Sequence, residues 1–425
     1  MLGEIVKNDL DDATINTNSK SFFWNAAPLF LVLFIDSMGL GLVFPVLNTL
    51  VFDPSAHFFA AEMTLNVRNL LYGLTIGIYM LCWFFGASFL GDLSDQIGRK
   101  RSLMICLIGA VIGYLLTALA IVFANYGLLM LGRIIAGFTA GSQSIAQAAI
   151  VDLSDPKQKA RNLGYILFFC SVGFAFGPII GGILSASSLV SWFDFAMPFY
   201  FAASISLINA VLLQWLFQES FSQVQKVQFK LYHAINIFLS AFKNEKISKL
   251  SLILLIMIFG WSGYYSFISM YLFQTYHFTP LQNGFYMGLM GAGFGIGTGC
   301  LVGPLTRRFS LKKCTIVGSI FAALGVLLTV TLQSEIYVWY TVLLVSIAMA
   351  LAYSAILTLF SNQVDAKSQG WVMGVTGAIM SLAFGINGLL LGVLSNYSLE
   401  MPLLLSAACL VISPLLMAVI FKNNN

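Results

Sequence analysis

The chain has 425 residues, of which 59% are hydrophobic and 9% charged, with a mean hydropathy of +0.89 and a formal net charge of +4. Water-soluble domains average about 45–50% apolar and about 25% charged residues. The composition therefore excludes a water-soluble globular protein and predicts an all-α polytopic membrane protein. The positive charges flank apolar runs, which gives no reason to expect a nucleic-acid partner.

Charge-free runs predict the elements in chain order. Residues 1–21 are polar and acidic, so we predict a mobile tail there rather than a secretory signal peptide. An amino-terminal half follows over 22–218, with six predicted spans, each long enough to cross a hydrocarbon core that requires about 20 helical residues. These spans lie within 22–52, 69–91, 102–151 (two spans, broken near 124–127), 162–187 and 195–217.

A polar linker over 219–249 leads to a carboxy-terminal half over 250–422. Its six predicted spans lie within 250–306 (two spans, broken near 274–280), 314–333, 336–361, 368–395 and 401–421. Within the linker, apolar residues recur at helical spacing among lysines, at Leu231, Ile235, Phe238 and Phe242. This pattern predicts an amphipathic helix on the inner membrane surface, attracted to anionic lipids, with a simple tether as the alternative.

The distribution of basic residues predicts the orientation. If the amino terminus is cytoplasmic and the twelve spans alternate, 19 of the 21 Lys and Arg residues lie in inner segments. The exceptions are Arg68, in an outer loop, and Arg133, within span 4. Cytoplasmic loops carry an excess of Lys and Arg. We therefore predict twelve transmembrane helices with both termini in the cytoplasm.

Cysteine and histidine give no sign of a metal site. None of the six cysteines forms a C-x-x-C pair, and the three histidines are far apart in the sequence. We also find no pattern that indicates a nucleophile or a soluble sensing domain. We therefore expect no metal, no cofactor and no enzymatic activity.

Charge is concentrated between predicted spans 2 and 3. The segment from Gly91 to Arg101 contains Asp92, Asp95, Arg99, Lys100 and Arg101. We predict a tight turn there, with Gly91 and Gly98 permitting close backbone approach or positive φ. A basic loop that only fixes topology is the alternative interpretation.

This segment resembles the signature loop of the major facilitator superfamily, G-x-L-x-D-x-x-G-R-K/R. The fixed positions are Gly91, Leu93, Asp95, Gly98, Arg99 and Lys100. A decayed copy, Gly303 to Lys313, follows half a chain length later. The resemblance implies the major facilitator fold, with twelve helices in two six-helix halves and substrate bound between them near the bilayer midplane. It also implies that Asp95, Arg99 and Asp152 form an inner latch that holds the outward-open state.

Span 5 carries a second pattern, G-x8-G-x3-G-P-x2-G-G. Its fixed positions are Gly164, Gly173, Gly177, Pro178, Gly181 and Gly182. Three of these glycines recur every four residues, which predicts a groove for close helix packing, and Pro178 can bend the helix. Ordinary small-residue packing is the alternative. Within the superfamily the pattern is similar to that of antiporters, mainly drug/proton exchangers.

Two formal charges lie well inside the predicted spans. Asp36 is near the middle of span 1, and Arg133 is in the outer part of span 4. Such charges are costly and usually face a bundle interior or a wet cavity. We predict that Asp36 binds and releases the coupling proton and that Arg133 tunes the pKa of Asp36. The alternative is a fixed structural ion pair between the two residues. The segments around both residues look most like tetracycline/proton and related multidrug antiporters.

Span 7 is strongly aromatic, and span 11 contains one central amide. We name four of these residues as candidates for the wall of a substrate cavity, with packing as the alternative: Trp261, Tyr264, Tyr265 and Asn387. The cores of spans 7 to 12 contain no acidic residue, which favours a neutral, lipophilic or zwitterionic substrate.

These features together predict a proton-coupled antiporter that exports small organic compounds. A proton-coupled importer of a nutrient or metabolite on the same fold is the alternative. The expected partners are the substrate, protons and membrane lipids. We expect a monomer in a bacterial inner membrane.

Overall fold

A computed structural model of the protein describes residues 2–154, 158–220, 232–365 and 368–421, with side chains from Trp24 onward except at 159–160 and 232–233. Within these ranges the chain forms helices joined by short loops, without strands. Twelve spans are long and apolar enough to cross a membrane, which confirms the predicted fold class. In order, spans 1 to 12 are Trp24–Phe52, Leu65–Ile97, Arg99–Val122, Tyr126–Asp152, Arg161–Leu184, Met197–Leu216, Ser248–Tyr276, Pro280–Arg308, Leu311–Thr331, Glu335–Asn362, Gln369–Leu394 and Met401–Ile420.

Several spans differ from single regular helices. The helix of span 1 begins at Leu2, so residues that we predicted to be a mobile tail are helical. Span 4 consists of two helices, Tyr126–Thr139 and Ser142–Asp152. Span 8 consists of helices Pro280–Ile296 and Val302–Arg308, joined by a π-helical turn at Gly297–Leu301. Span 5 lies on a helix that begins at Lys159.

The linker forms a helix at Tyr232–Lys243. Its Phe238 ring lies 6.5 Å from that of Phe84 in span 2, and Trp371 in span 11 donates a hydrogen bond to Ser240 at 3.2 Å. The helix therefore contacts both halves of the protein. Parts of the predicted amphipathic and charge patterns lie outside the described residues, at Lys157, Lys226, Lys230, Leu231, Lys367 and Lys422.

The turn between spans 2 and 3 is shorter than we predicted. Span 2 continues to Ile97 and span 3 begins at Arg99, so Gly98 alone separates the two helices. Gly98 has φ 99°, a conformation that favours glycine, and a Cβ there would collide with the carboxylate of Glu219. The ion pair between Asp95 and Arg99 crosses this turn and joins the end of span 2 to the start of span 3.

Glycines determine how closely the helices approach. Gly173, Gly177 and Gly181 of span 5 lie against the backbone of span 1, so span 1 occupies the groove that these residues form. Between the halves, Gly73 of span 2 lies against Gly388 of span 11, and Gly182 of span 5 lies against Gly284 of span 8. At these glycines the backbones of the two halves come into direct contact.

Candidate functional site

A cavity of about 260 Å³ lies between the two halves. Its amino-terminal wall consists of Asp36, Ser37, Leu40, Tyr79, Trp83, Ala140, Gln143, Leu167, Cys170, Ser171 and Phe174. Its carboxy-terminal wall consists of Ile258, Trp261, Gly291, Phe294, Thr298, Met349, Tyr353, Met380 and Phe384. Most of these side chains are apolar, and Asp36 is the single formally charged residue among them.

The cavity is sealed at the end formed by loops 1–2, 7–8 and 11–12. Three hydrogen bonds cross between the halves there: Asn48 to Ser269 at 2.5 Å, Tyr72 to the Ser266 carbonyl at 2.9 Å and Asn69 to Asn396 at 2.9 Å. The opposite ends of spans 2, 5, 8 and 11 are looser. Glycines there have no neighbouring heavy atom within 4 Å of the position that a Cβ would occupy, at Gly91, Gly164, Gly295, Gly299, Gly370 and Gly374. The cavity therefore opens towards the basic loops.

Asp36 lies on the amino-terminal wall and is partly exposed to the cavity. Its Oδ2 accepts a hydrogen bond from the Ser142 hydroxyl at 2.5 Å. The neighbouring Gln143 donates a hydrogen bond to the Cys170 sulfur at 3.3 Å, which links spans 4 and 5 behind the carboxyl group. The carboxylate is thus held by the Ser142 hydroxyl on one side and faces a largely apolar space on the other.

Arg133 does not form an ion pair with Asp36 in the described part of the chain. Its guanidinium lies over the ring of Tyr79, 4.0 Å from the centroid, and its Nε has no hydrogen-bond partner. Arg133 is buried and is not a lining residue, whereas Tyr79 is. In this state Arg133 therefore contacts a lining residue, Tyr79, and does not itself reach the cavity.

Four residues were proposed for the substrate wall, and only Trp261 lines the cavity. Tyr264 instead shares a hydrogen bond with the Tyr286 hydroxyl at 2.8 Å inside the carboxy-terminal half. Asn387 donates to the Phe259 carbonyl and to Ser262, so its amide is used to join spans 7 and 11. Tyr265 lies behind the wall, where its ring stacks on that of Phe174 at 5.2 Å.

Most of the cavity's aromatic residues were missed by sequence reasoning. Tyr79, Trp83, Phe174, Phe294, Tyr353 and Phe384 come from spans 2, 5, 8, 10 and 11. Each helix contributes only one or two of them. A single aromatic residue in an apolar run has no distinguishing pattern, so only the tertiary arrangement identifies this wall.

The residues of the predicted latch form a cluster at the open end. The guanidinium of Arg99 lies 2.6 Å from Asp95 and 3.4 Å from Asp152, and it also donates to the Ser94 hydroxyl at 2.5 Å. These contacts join spans 2, 3 and 4 within the amino-terminal half. In this state they hold that half together and do not bridge to the other half.

Glu219 completes this cluster, and sequence reasoning missed its role. Its two carboxylate oxygens accept hydrogen bonds from the backbone N–H groups of Arg99 and Lys100, at 2.9 Å and 3.0 Å. The Lys100 ammonium in turn donates to the Gln214 carbonyl at 2.8 Å, near the end of span 6. An anion at a helix start and a cation at a helix end both complement the helix dipole. The start of span 3 and the end of span 6 are thus capped reciprocally.

Comparison with known proteins identifies the family. The family model of the Major Facilitator Superfamily matches residues 29–388 and 250–424, so the chain belongs to this superfamily, and the resemblance noted in the sequence is confirmed. The solved structure of a D-xylose-proton symporter has the same fold, with a TM-score of 0.73 at 16% identity over 93% of this chain and 96% of that one.

Relatives of similar length are resistance proteins. The chain is 28% identical over 349 residues to the class C tetracycline resistance protein of Escherichia coli. This alignment covers 82% of this chain and 84% of that protein. It is 26% identical over 389 residues to the quinolone resistance protein NorA of Staphylococcus aureus strain MRSA252. This alignment covers 88% of this chain and 91% of that protein. The protein is therefore an integral membrane transporter with drug-efflux relatives.

Proposed function

We propose that the protein is a proton-coupled antiporter that exports small, largely apolar organic compounds by alternating access. The apolar and aromatic lining of the central cavity supports a lipophilic substrate. The relatives named for tetracycline and quinolone resistance support export of drug-like compounds. The glycine pattern of span 5, which resembles that of antiporters, supports exchange rather than cotransport.

The position of Asp36 is the observation on which this proposal mainly rests. A charge that faces an apolar cavity inside a membrane is costly unless water or a partner compensates it. The charge of Asp36 is therefore sensitive to what fills the cavity and to which side the cavity faces. Substrate binding and proton binding at one site then compete, and linkage makes their effects on each other reciprocal.

We propose a transport cycle that starts from the state seen in the structure. With the cavity open towards the basic loops, substrate enters from that side and the Asp36 proton is released there. After the halves reorient, protonation of Asp36 from the other side favours release of the substrate. We propose that the basic loops face the cytoplasm of a bacterium, that the transporter lies in the inner membrane, and that it acts as a monomer.

A proton-coupled importer remains the second candidate, since a proton symporter shares the fold. Purified protein in lipid vesicles with an imposed pH gradient separates the two. An antiporter accumulates tetracycline, a quinolone or a lipophilic dye when the vesicle lumen is the acidic side. Accumulation that requires an acidic outside would contradict exchange and favour import.

A further inference from the structure

A second cavity lies on the membrane-facing surface of the carboxy-terminal half, among spans 8, 9 and 10. It has a volume of about 230 Å³, and its residues are all apolar. Leu301 and Leu305 of span 8 form one side, and Val317 and Phe321 of span 9 form the other. Leu301, Val317 and Phe321 are 39%, 46% and 47% exposed, so the groove opens outwards. In a membrane, hydrocarbon chains cover such a surface.

Two small residues deepen the floor of the groove, which Leu344, Ile347 and Leu351 of span 10 also line. Gly318 and Ala348 form part of this floor, and a Cβ on Gly318 would lie 2.6 Å from the Ala348 carbonyl oxygen. The π-helical turn Gly297–Leu301 shapes the side formed by span 8, and such turns are frequent at functional sites. An apolar cavity of about 150 Å³ in another protein is sufficient to bind benzene. This groove can therefore hold a stretch of acyl chain.

Two basic residues lie at the end of the groove nearest the basic loops. Arg308 follows Leu305 by three residues, and Lys313 precedes Val317 by four, so each continues a groove-lining stripe of its helix. Both side chains are exposed. Neither is in an ion pair with any residue that the structure describes, and the sequence from 301 to 321 contains no acidic residue. The apolar groove thus ends at two cations.

We propose that this groove is a binding site for one anionic phospholipid, with an acyl chain between Leu305 and Val317 and the phosphate between Arg308 and Lys313. The apolar lining selects a lipid over a free phosphate, and the cations select an anionic headgroup over a zwitterionic one. The π-helical turn contributes Leu301 to this groove, while the neighbouring Thr298 lines the central cavity. The bound lipid therefore touches the segment that also forms the wall of the transport cavity.

The chain provides a matched control for the charge. Arg307 and Lys312 are adjacent in sequence to the two proposed ligands but lie off the groove-lining stripes, two residues from Leu305 and five from Val317. The Lys312 ammonium lies 5.2 Å from the centroid of the Phe421 ring, and the Arg308 guanidinium lies 5.8 Å from that of its neighbour Phe309. Two double variants each remove two positive charges: Arg308→Gln/Lys313→Gln and Arg307→Gln/Lys312→Gln. Only the first removes them from the end of the groove.

The test is photocrosslinking of the full chain in phosphatidylcholine vesicles doped with a phosphatidylglycerol probe that carries an acyl-chain diazirine. We expect the phosphatidylglycerol probe to label peptides from residues 301–321 about fivefold more than the matching phosphatidylcholine probe does. Arg308→Gln/Lys313→Gln should abolish this preference, and the control pair should retain it. Unlabelled phosphatidylglycerol should compete, whereas glycerol phosphate should not.

A substitution in the groove tests the acyl-chain part of the site separately. Val317→Trp adds bulk at an exposed lining position, so it should reduce labelling by both lipid probes while thermal unfolding in detergent stays cooperative. Equal labelling by the two probes, or equal losses in the two double variants, would overturn the proposal. Each readout is independent of transport and therefore of the proposed antiport.

Discussion

At the scale of single residues, the central cavity combines one carboxyl group with an apolar wall. Asp36 faces this space and is held by Ser142 from span 4. Arg133, the other charged residue that we singled out inside the spans, is stacked on Tyr79 and is not paired with Asp36. In this state Asp36 can therefore change its charge without breaking an ion pair with Arg133.

Trp261 should determine substrate affinity. Burial of an aromatic side chain against an apolar ligand is worth about 1.5–3 kcal/mol, so Trp261→Ala should weaken substrate binding about tenfold or more. Tyr264→Phe is the control, because it removes a hydroxyl that bonds to Tyr286 away from the cavity. It should cost about 1 kcal/mol or less of stability and leave affinity unchanged. Fluorescence titration of the purified variants measures both affinities, and equal losses would contradict the assigned wall.

The sequence identifies Asp36 and Arg133 because a single charge in a long apolar run is visible without a structure. It does not identify Phe294 or Tyr353 as cavity residues, since aromatic residues in membrane helices pack, anchor or line cavities with the same local pattern. Asn387 illustrates the opposite error. A polar residue in an apolar span indicates a site, but here its amide joins two helices of the same half.

At the scale of elements, the glycine stripe of span 5 should be intolerant of side chains. A Cβ at Gly177 would collide with the backbone carbonyl of Met38, and a backbone atom cannot move without shifting span 1. Gly177→Ala should therefore lower the free energy of unfolding by about 1–3 kcal/mol. Gly164 has no neighbouring atom at its Cβ position, so Gly164→Ala should be neutral or stabilising. Thermal unfolding in detergent compares the two, and equal destabilisation would contradict the packing argument.

The predicted spans agree with the structure in number and order, because charge-free runs of sufficient length are a strong signal. Their ends are less predictable. Span 2 extends to Ile97, six residues beyond the end at residue 91 that we predicted, because polar residues at the end of a helix can be solvated and paired there. The cap that Glu219 supplies to span 3 joins residues about 120 positions apart, and no local pattern reveals it.

At the scale of the whole molecule, the structure shows one end of the cavity sealed by bonds between the halves and the other end open. The cluster of Asp95, Arg99 and Asp152 lies at the open end, entirely within one half. This is where the halves must approach when the cavity opens to the other side. A latch for the opposite state therefore remains our prediction for these residues.

If these residues form a latch, a substitution there should change the transport rate without changing the affinity for substrate. Asp95 is remote from the cavity lining, so Asp95→Asn should slow transport through loss of the Arg99 ion pair while equilibrium substrate binding stays within about threefold. Glu62→Gln, at an exposed acid in loop 1–2, is the matched control and should change neither. Vesicle transport rates and binding titrations are measured on the same preparations. A large loss of affinity with a normal rate of state exchange would rule out the latch.

The bias of 19 among 21 basic residues towards one side predicts that both termini lie in the cytoplasm. In a cysteine-free variant, a cysteine introduced at position 3 or 424 should resist an impermeant thiol reagent in intact cells. Glu62→Cys, in loop 1–2, should react. Efficient labelling at the termini would reverse the orientation or change the number of spans.

The central claim is that Asp36 releases a proton when substrate binds. Purified protein in weakly buffered detergent solution, with a pH indicator, should release protons on substrate addition. Asp36→Asn keeps the shape of the side chain but cannot titrate, so its release should be abolished, and any substrate binding that remains should lose its pH dependence. Proton release by the Asp36→Asn variant equal to that of the unmodified protein would contradict the account.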